Sequence, residues 1–164
     1  MRGFALFVAG VGSGILLMQS VVAQNGSPKD TGMKLNHVAI TVKNFDAAVA
    51  YYTKSMGFRE AFSYREPNGQ PVLTYLQISR DTFLEIQPAT AEQPAGFSHM
   101  GIEMVDAKAT IARLRRAGVK VSDATPSGRS GASLTDVFDP EGIYTELLEF
   151  GPTSAQRKAV NAWK

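Results

Sequence analysis

His37 and His99 are the only imidazoles in the chain, and each is followed at almost the same interval by a glutamate in an apolar stretch. Glu85 lies 48 residues after His37, and Glu146 lies 47 residues after His99. A glycine suited to ending a helix follows each histidine as well, Gly57 at 20 residues and Gly118 at 19. A single His or Glu in a strand is ordinarily a structural or surface residue. Two copies of one spacing are much harder to produce by accident and mark an internal repeat. The chemistry these four side chains would support is coordination of a divalent cation. Two carboxylates buried side by side lose hydration and repel each other, whereas a 2+ ion neutralises both and neutral imidazoles add affinity without charge.

The elements that must position them read as two βαβββ modules, residues 34–90 and 96–150. In the first, LNHVAITV (35–42) alternates as a strand, Asn44 is a helix cap, and Phe45, Ala48, Val49, Tyr52 and Met56 are spaced as one helical face closed by Gly57. Strands are predicted at 58–65, 71–78 and 82–87, the first two joined by a hairpin at Asn68-Gly69. In the second, GFSHMGIEM (96–104) is a strand, Asp106 a cap, and Ala107, Thr110, Ile111 and Leu114 a helical face closed by Gly118; further strands are predicted at 119–122, 132–138 and 143–149. Residues 151–164 form a polar tail containing at most a short helix. Strand alternation puts Val38, Ile40 and Val42 under the first helix and turns His37 away from it. The same rule turns His99, Glu85 and Glu146 to that opposite face, so all four look into one cup. The fold class is therefore α+β, a mixed-sheet cup with helices on the outside.

Composition narrows the function. Arg2 followed by an apolar run from Gly3 to Met18 and the small residues around Ala23 reads as a signal peptide over residues 1–23, with a flexible leader at 24–33. Cleavage after Ala23 predicts a periplasmic or secreted domain, with a retained membrane anchor as the competing reading. Removing residues 1–23 takes one Arg from the 17 basic residues and none of the 15 acidic ones, leaving a net charge of +1. No basic stripe argues for nucleic acid. With no cysteine there is no disulfide, thiol nucleophile or lipid-modified Cys.

The segments LNHVAITV, AVAYYTKSMGFR, FLEIQ, SHMGIEM and DPEGIYTELLEF resemble the successive motifs of the vicinal oxygen chelate superfamily, the glyoxalase, bleomycin-resistance and dioxygenase proteins, over about residues 34–150. The resemblance implies one metal in the cup, held at the positions of His37, Glu85, His99 and Glu146. The ion would be Zn, Ni, Co, Mn or Fe, with the two-His, two-Glu set pointing to the hydrated glyoxalase-type sites. It further implies a glyoxalase-like lyase or isomerase that moves a proton next to a substrate carbonyl through a metal-stabilised enediolate, Glu146 or Glu85 acting as base and acid. A homodimer is the family expectation. Glutathione is chiefly cytosolic, so an exported domain favours another small carbonyl or hydroxy-carbonyl substrate.

Two other readings compete. An extradiol-type iron dioxygenase would use two His and one Glu, but related ring-cleaving enzymes need a further His. A non-catalytic small-ligand or drug-binding module would have no need of a complete ligand set. For substrate contacts, Tyr64, Arg65, Tyr75 and Arg129 lie in segments that border the cup, and Glu103, on the same strand face as His99, is a candidate supporting group or base. Glu141 and Glu149 are expected to face solvent.

Overall fold

The computed structural model describes residues 30–164, so the signal-peptide assignment (1–23) and most of the leader lie outside the described residues. Eight strands, β1 (Met33–Val42), β2 (Arg59–Arg65), β3 (Pro71–Ser79), β4 (Thr82–Pro88), β5 (Gly96–Met104), β6 (Thr125–Pro126), β7 (Ser133–Phe138) and β8 (Tyr144–Glu149), form one mixed sheet in the order β2-β3-β4-β1-β5-β8-β7-β6. The order is its own mirror under exchange of modules. β1 runs parallel to β4, β5 runs parallel to β8, and the two modules meet where β1 pairs antiparallel with β5.

Helix α1 (Phe45–Ala50) forms where Asn44 accepts the Ala47 amide at 3.0 Å, and α2 (Ala107–Arg116) where Asp106 accepts the Ala109 amide at 2.8 Å. Both lie on the convex side. Phe45, Ala48 and Val49 cover Leu76, Leu84, Ile86, Ile40 and Val42, while Ala107, Ile111 and Leu114 cover Met104, Ile102 and Leu147. These are the faces that alternation assigns to the helices, so His37, Glu85, His99 and Glu146 are left to the concave side.

Three local expectations are corrected. The apolar face of α1, expected to run to Met56, is interrupted by a π turn over Tyr51–Ser55 that rotates the end of the helix and leaves Met56 exposed. The strand predicted at 119–122 does not form. Arg115 takes the Val121 carbonyl through Nε and Nη2, both at 3.0 Å, and Val121 and Ala124 pack under α2, so pairing begins only at Thr125 and stops at Pro126. Glu149, expected in solvent, accepts the Ala107 amide at 3.2 Å and helps cap α2; Glu141 is exposed.

The C-terminal stretch is more than a tail. Helix α3 (Ala155–Asn161) lies on the concave side at the β2–β4 end, where Ala159 and Val160 pack with Tyr75, Phe83, Phe62 and Leu73. Its C-terminal carbonyls are held by the Arg59 guanidinium, on Ala159 at 3.1 Å and Ala162 at 3.0 Å, and Gln77 donates to Ala159 at 3.3 Å. The helix fills one end of the cup and leaves the other open.

Candidate metal centre

The β1–β5 register builds the site. Leu35 pairs with Ile102, His37 with Gly101, Ala39 with His99 and Ile40 with Phe97, so one residue is skipped on each strand: Asn36 on β1 and Ser98 on β5. These two bulged residues each sit immediately before a histidine. Asn36 presents Oδ1 to His37 Nδ1 at 3.1 Å, and Ser98 Oγ lies 2.9 Å from His99 Nδ1. An amide oxygen only accepts, so His37 carries its proton on Nδ1 and leaves Nε2 bare. Sequence reasoning missed both partners, because simple alternation sends Asn36 and Ser98 to the face opposite their histidines.

The four candidate ligands converge. His37 Nε2 lies 3.2 Å from His99 Nε2, 3.3 Å from Glu85 Oε2 and 3.6 Å from Glu146 Oε2; His99 Nε2 lies 3.7 and 4.0 Å from the same two oxygens. Donors about 2.0–2.2 Å from a shared ion stand roughly 3.0–3.5 Å apart, so His37, Glu85 and His99, separated by 3.2, 3.3 and 3.7 Å, need only a few tenths of an ångström of contraction to hold one. The chemistry of the set agrees with the spacing, since the four atoms are lone-pair bearers crowded together in a buried place. His37, Glu85 and His99 are buried and Glu146 nearly so.

The electrostatics derive from that burial. Desolvation, reinforced by His99, lowers the His37 pKa to about 3, and desolvation lowers that of His99 to about 4, so both are neutral ligands at physiological pH. Glu146 is pushed up to about 8 by burial and by the charges of Glu85 and Asp136. Burial also raises Glu85, but hydrogen bonds from Tyr75 and Gln87 oppose the rise, and Gln87 Nε2 donates to Glu85 Oε1 at 2.6 Å.

The repeat makes this difference legible. Glu85 pairs across β3–β4 with Tyr75, and Glu146 pairs across β7–β8 with Asp136. Two residues on, Gln87 of the first module corresponds to Leu148 in the second. One glutamate is therefore clasped by two donors and the other stands beside an acid and an aliphatic side chain.

The other sequence candidates divide. Tyr75 is buried in the cup with its hydroxyl 3.5 Å from His37 Nε2. Tyr64 and Arg129 stand at the mouth of a cavity of about 330 Å³ that also contains Glu85, His99 and Glu146. Arg65 is not brought there. As the neighbour of Tyr64 in a strand it points to the opposite face, where it bonds the Gly69 carbonyl at 3.0 Å and lies over Phe45. Glu103 is also excluded, because Arg157 at 3.0 Å and Lys34 at 3.2 Å take its carboxylate. Besides Asn36, Ser98 and Gln87, two residues of the site went unrecognised in the sequence: Tyr144, whose ring packs 4.8 Å from that of His99, and Gln156 of α3. The repeat could have found Tyr144, which stands two residues before Glu146 as Phe83 does before Glu85; nothing local marks Gln156.

The family model described as the Glyoxalase/Bleomycin resistance protein/Dioxygenase superfamily matches residues 34–147. Among curated proteins the chain is similar to a probable chloroplastic lactoylglutathione lyase of Arabidopsis thaliana, 26% identical over 133 residues, covering 76% of this chain and 38% of that one. It is also similar to a putative lactoylglutathione lyase of Brassica oleracea var. gemmifera, 24% identical and covering 77% and 48%. The chain thus spans less than half the length of these relatives. Among solved structures it resembles a Streptomyces coelicolor methylmalonyl-CoA epimerase in complex with 2-nitronate-propionyl-CoA, with TM-score 0.61, 23% identity and coverage of 74% and 96%. A hypothetical protein from Bacillus halodurans gives TM-score 0.60 at 21% identity, with coverage of 73% and 95%. These structures share the fold.

Two outcomes are expected of this site. A Cβ on Gly101 would overlap the His37 ring, so Gly101→Ala should weaken metal binding by roughly 100-fold in calorimetric titration while lowering stability by only about 1–3 kcal/mol. Unchanged affinity would remove His37 from the ligand set. The second concerns pH. The histidines, titrating below their ordinary 6.5, add stability as pH rises from about 3 to 6.5; Glu146, titrating above its ordinary 4.5, contributes stability that is lost as pH climbs through about 8. Metal-free protein should be most stable between about pH 5 and 7, whereas metal uptake at neutral pH must expel the Glu146 proton. The rise in Tm caused by a fixed excess of Ni²⁺ should therefore grow from about pH 6 to about pH 8.5, and a rise that shrinks over that range would contradict the arrangement.

Proposed function

Since the chain belongs to the glyoxalase, bleomycin resistance protein and dioxygenase superfamily, we propose that it is a metal-dependent lyase or isomerase that moves a proton at a carbon next to a carbonyl of a small substrate. The observation that carries this reading is the convergence of His37, Glu85, His99 and Glu146 at one end of an open cavity. The lactoylglutathione lyase and methylmalonyl-CoA epimerase names of its relatives agree with it. A divalent cation bound there would draw electron density from adjacent substrate oxygens, acidifying the neighbouring C–H.

The chain's own residues divide the remaining work. His37 and His99, fixed through Asn36 and Ser98, and Glu85, fixed through Gln87, are oriented to hold the ion. Glu146 is the proton carrier. It is more accessible than Glu85, has no amide clasping it, and has its proton affinity raised by burial and by the charges of Glu85 and Asp136. Its carboxylate takes the proton from carbon and returns it to the same or the neighbouring carbon. Tyr75, held protonated by burial and by the neighbouring glutamates, closes the inner wall with its hydroxyl as a donor. A dioxygenase would leave Glu85 off the metal, which does not suit a carboxylate 3.3 Å from His37 Nε2, and no third histidine exists in the chain.

The substrate is proposed to be a small dicarbonyl, hydroxy acid or thioester, and the enzyme to act outside the cytoplasm after cleavage at Ala23, with homodimerisation the family expectation. N-terminal sequencing of protein recovered from the native cell should begin at Gln24; an intact Met1 would remove the cleavage reading and favour a retained anchor. For the chemistry, metal-loaded protein should wash solvent deuterium into the carbon next to the carbonyl of candidate substrates, followed by proton NMR. Glu146→Gln should slow that exchange by about 10²–10⁴-fold with the melting temperature of the metal-free protein preserved. Equal exchange in the variant would remove Glu146 as base, and stoichiometric ligand binding without exchange would favour the binding-module reading.

A further inference from the structure

A second cavity of about 500 Å³ adjoins the first and shares Phe62, Tyr64, Ser127, Arg129 and Ser130 with it. It runs between the Ser127–Gly131 loop and α3, which contributes Ala155, Lys158 and Ala159. Its charge is one-sided, since Arg59, Arg129 and Lys158 line it and no Asp or Glu does. Among the described residues, Arg59 and Lys158 have no carboxylate partner at all. Arg59 spends its guanidinium on carbonyls and Gln77, which leaves its charge uncompensated. Arg129 has only Glu66, at 4.0 Å with both side chains more than half exposed, a separation worth little in water. Three unneutralised cations meeting in one groove raise the local potential for an anion well above what the near-neutral chain as a whole provides.

The same groove offers hydroxyls, from Ser127, Ser130 and Thr153, and it opens directly into the metal cup past Tyr64, whose hydroxyl donates to the Arg129 carbonyl at 2.6 Å. That bond ties β2 of one module to the loop of the other at the junction of the two cavities. Nearby, Gln156 is 1% exposed and lines the cup, yet its Oε1 has no partner among the described residues. An enclosed carbonyl oxygen left unpaired is a cost that a bound molecule with a hydroxyl or N–H donor would recover. Helix α3 lies beyond the residues matched by the family model, which end at 147.

We propose that the groove binds an anionic arm, a carboxylate or phosphate, on a substrate whose carbonyl end lies in the metal cup, with Arg129 and Lys158 as the chief contacts and Gln156 receiving a donor at the junction. The assignment rests on the reading of the cup as a substrate site, but the groove can be tested without catalysis. Metal-free protein is titrated with inorganic phosphate and, separately, with malonate at low ionic strength, following 31P line width and heat. The expected result is one saturable site, weakened about tenfold by Arg129→Ala or Lys158→Glu and weakened further by the pair, with Lys120→Ala, which lines neither cavity, unchanged and all melting curves intact. The probe bound more tightly identifies the arm. Affinities that ignore Arg129 and Lys158, or fall equally with Lys120→Ala, overturn the proposal. Loss of deuterium exchange on every substrate with phosphate binding retained would instead sink the catalytic reading and leave the groove standing.

Discussion

Two imidazole nitrogens 3.2 Å apart, each within 4.0 Å of two carboxylate oxygens and largely out of water, set the terms for the rest of the fold. Such a set is unstable unless positive charge is shared among it, whether as protons or as a cation. Without a cation, Glu146 meets the demand by raising its proton affinity, while burial keeps both histidines neutral. The features nearest the cluster serve to keep the four atoms facing one another. Gly101 lies flat because the His37 ring occupies the space a Cβ would take, and Ala39 is the small residue opposite His99.

The paired bulges are the means by which a flat sheet does this. A regular β1–β5 ladder would place Asn36 and Ser98 on the helix side and leave both Nδ1 atoms unsupported. Skipping one residue on each strand twists the backbone and turns each preceding side chain toward its own histidine. The irregularity is repeated because the module is repeated. The modules, helix faces and four converging side chains were therefore legible in the sequence: period-2 and 3.6-residue patterns, and a spacing shared by two modules, survive in the order of residues. The supporting contacts were not, since a bulge is invisible to alternation and depends on which residues two distant strands agree to skip.

Where the structure departs from the expected symmetry, side chains far apart in sequence take over backbone work. Arg115 captures the Val121 carbonyl and the strand predicted there is lost, shrinking β6 to two residues beside the seven of β2. Arg59 and Gln77 capture the end of α3, and a terminal stretch that reads as polar tail becomes a plug. The second is a long-range choice with no local signal, as is the diversion of Glu103 to Arg157 and Lys34, which commits a cup-facing carboxylate to holding α3.

Duplication alone would give a cup with two equal mouths and two equal glutamates, a geometry suited to gripping an ion but indifferent to the direction of a substrate. Differences between the two modules remove both equalities. With α3 filling the β2–β4 end, the mouth opens toward the loop bearing Arg129, and with Asp136 and Leu148 where the other module has Tyr75 and Gln87, the glutamate without donors around it is also the more accessible one. Burial, with the charges of Glu85 and Asp136, disfavours a permanently ionised Glu146, while the donors around Glu85 oppose the same effect of its own burial. In the proposed reaction, two carboxylates at matching positions of the repeat would thereby serve as a fixed ligand and a proton-exchanging group through neighbours that differ while the glutamates do not.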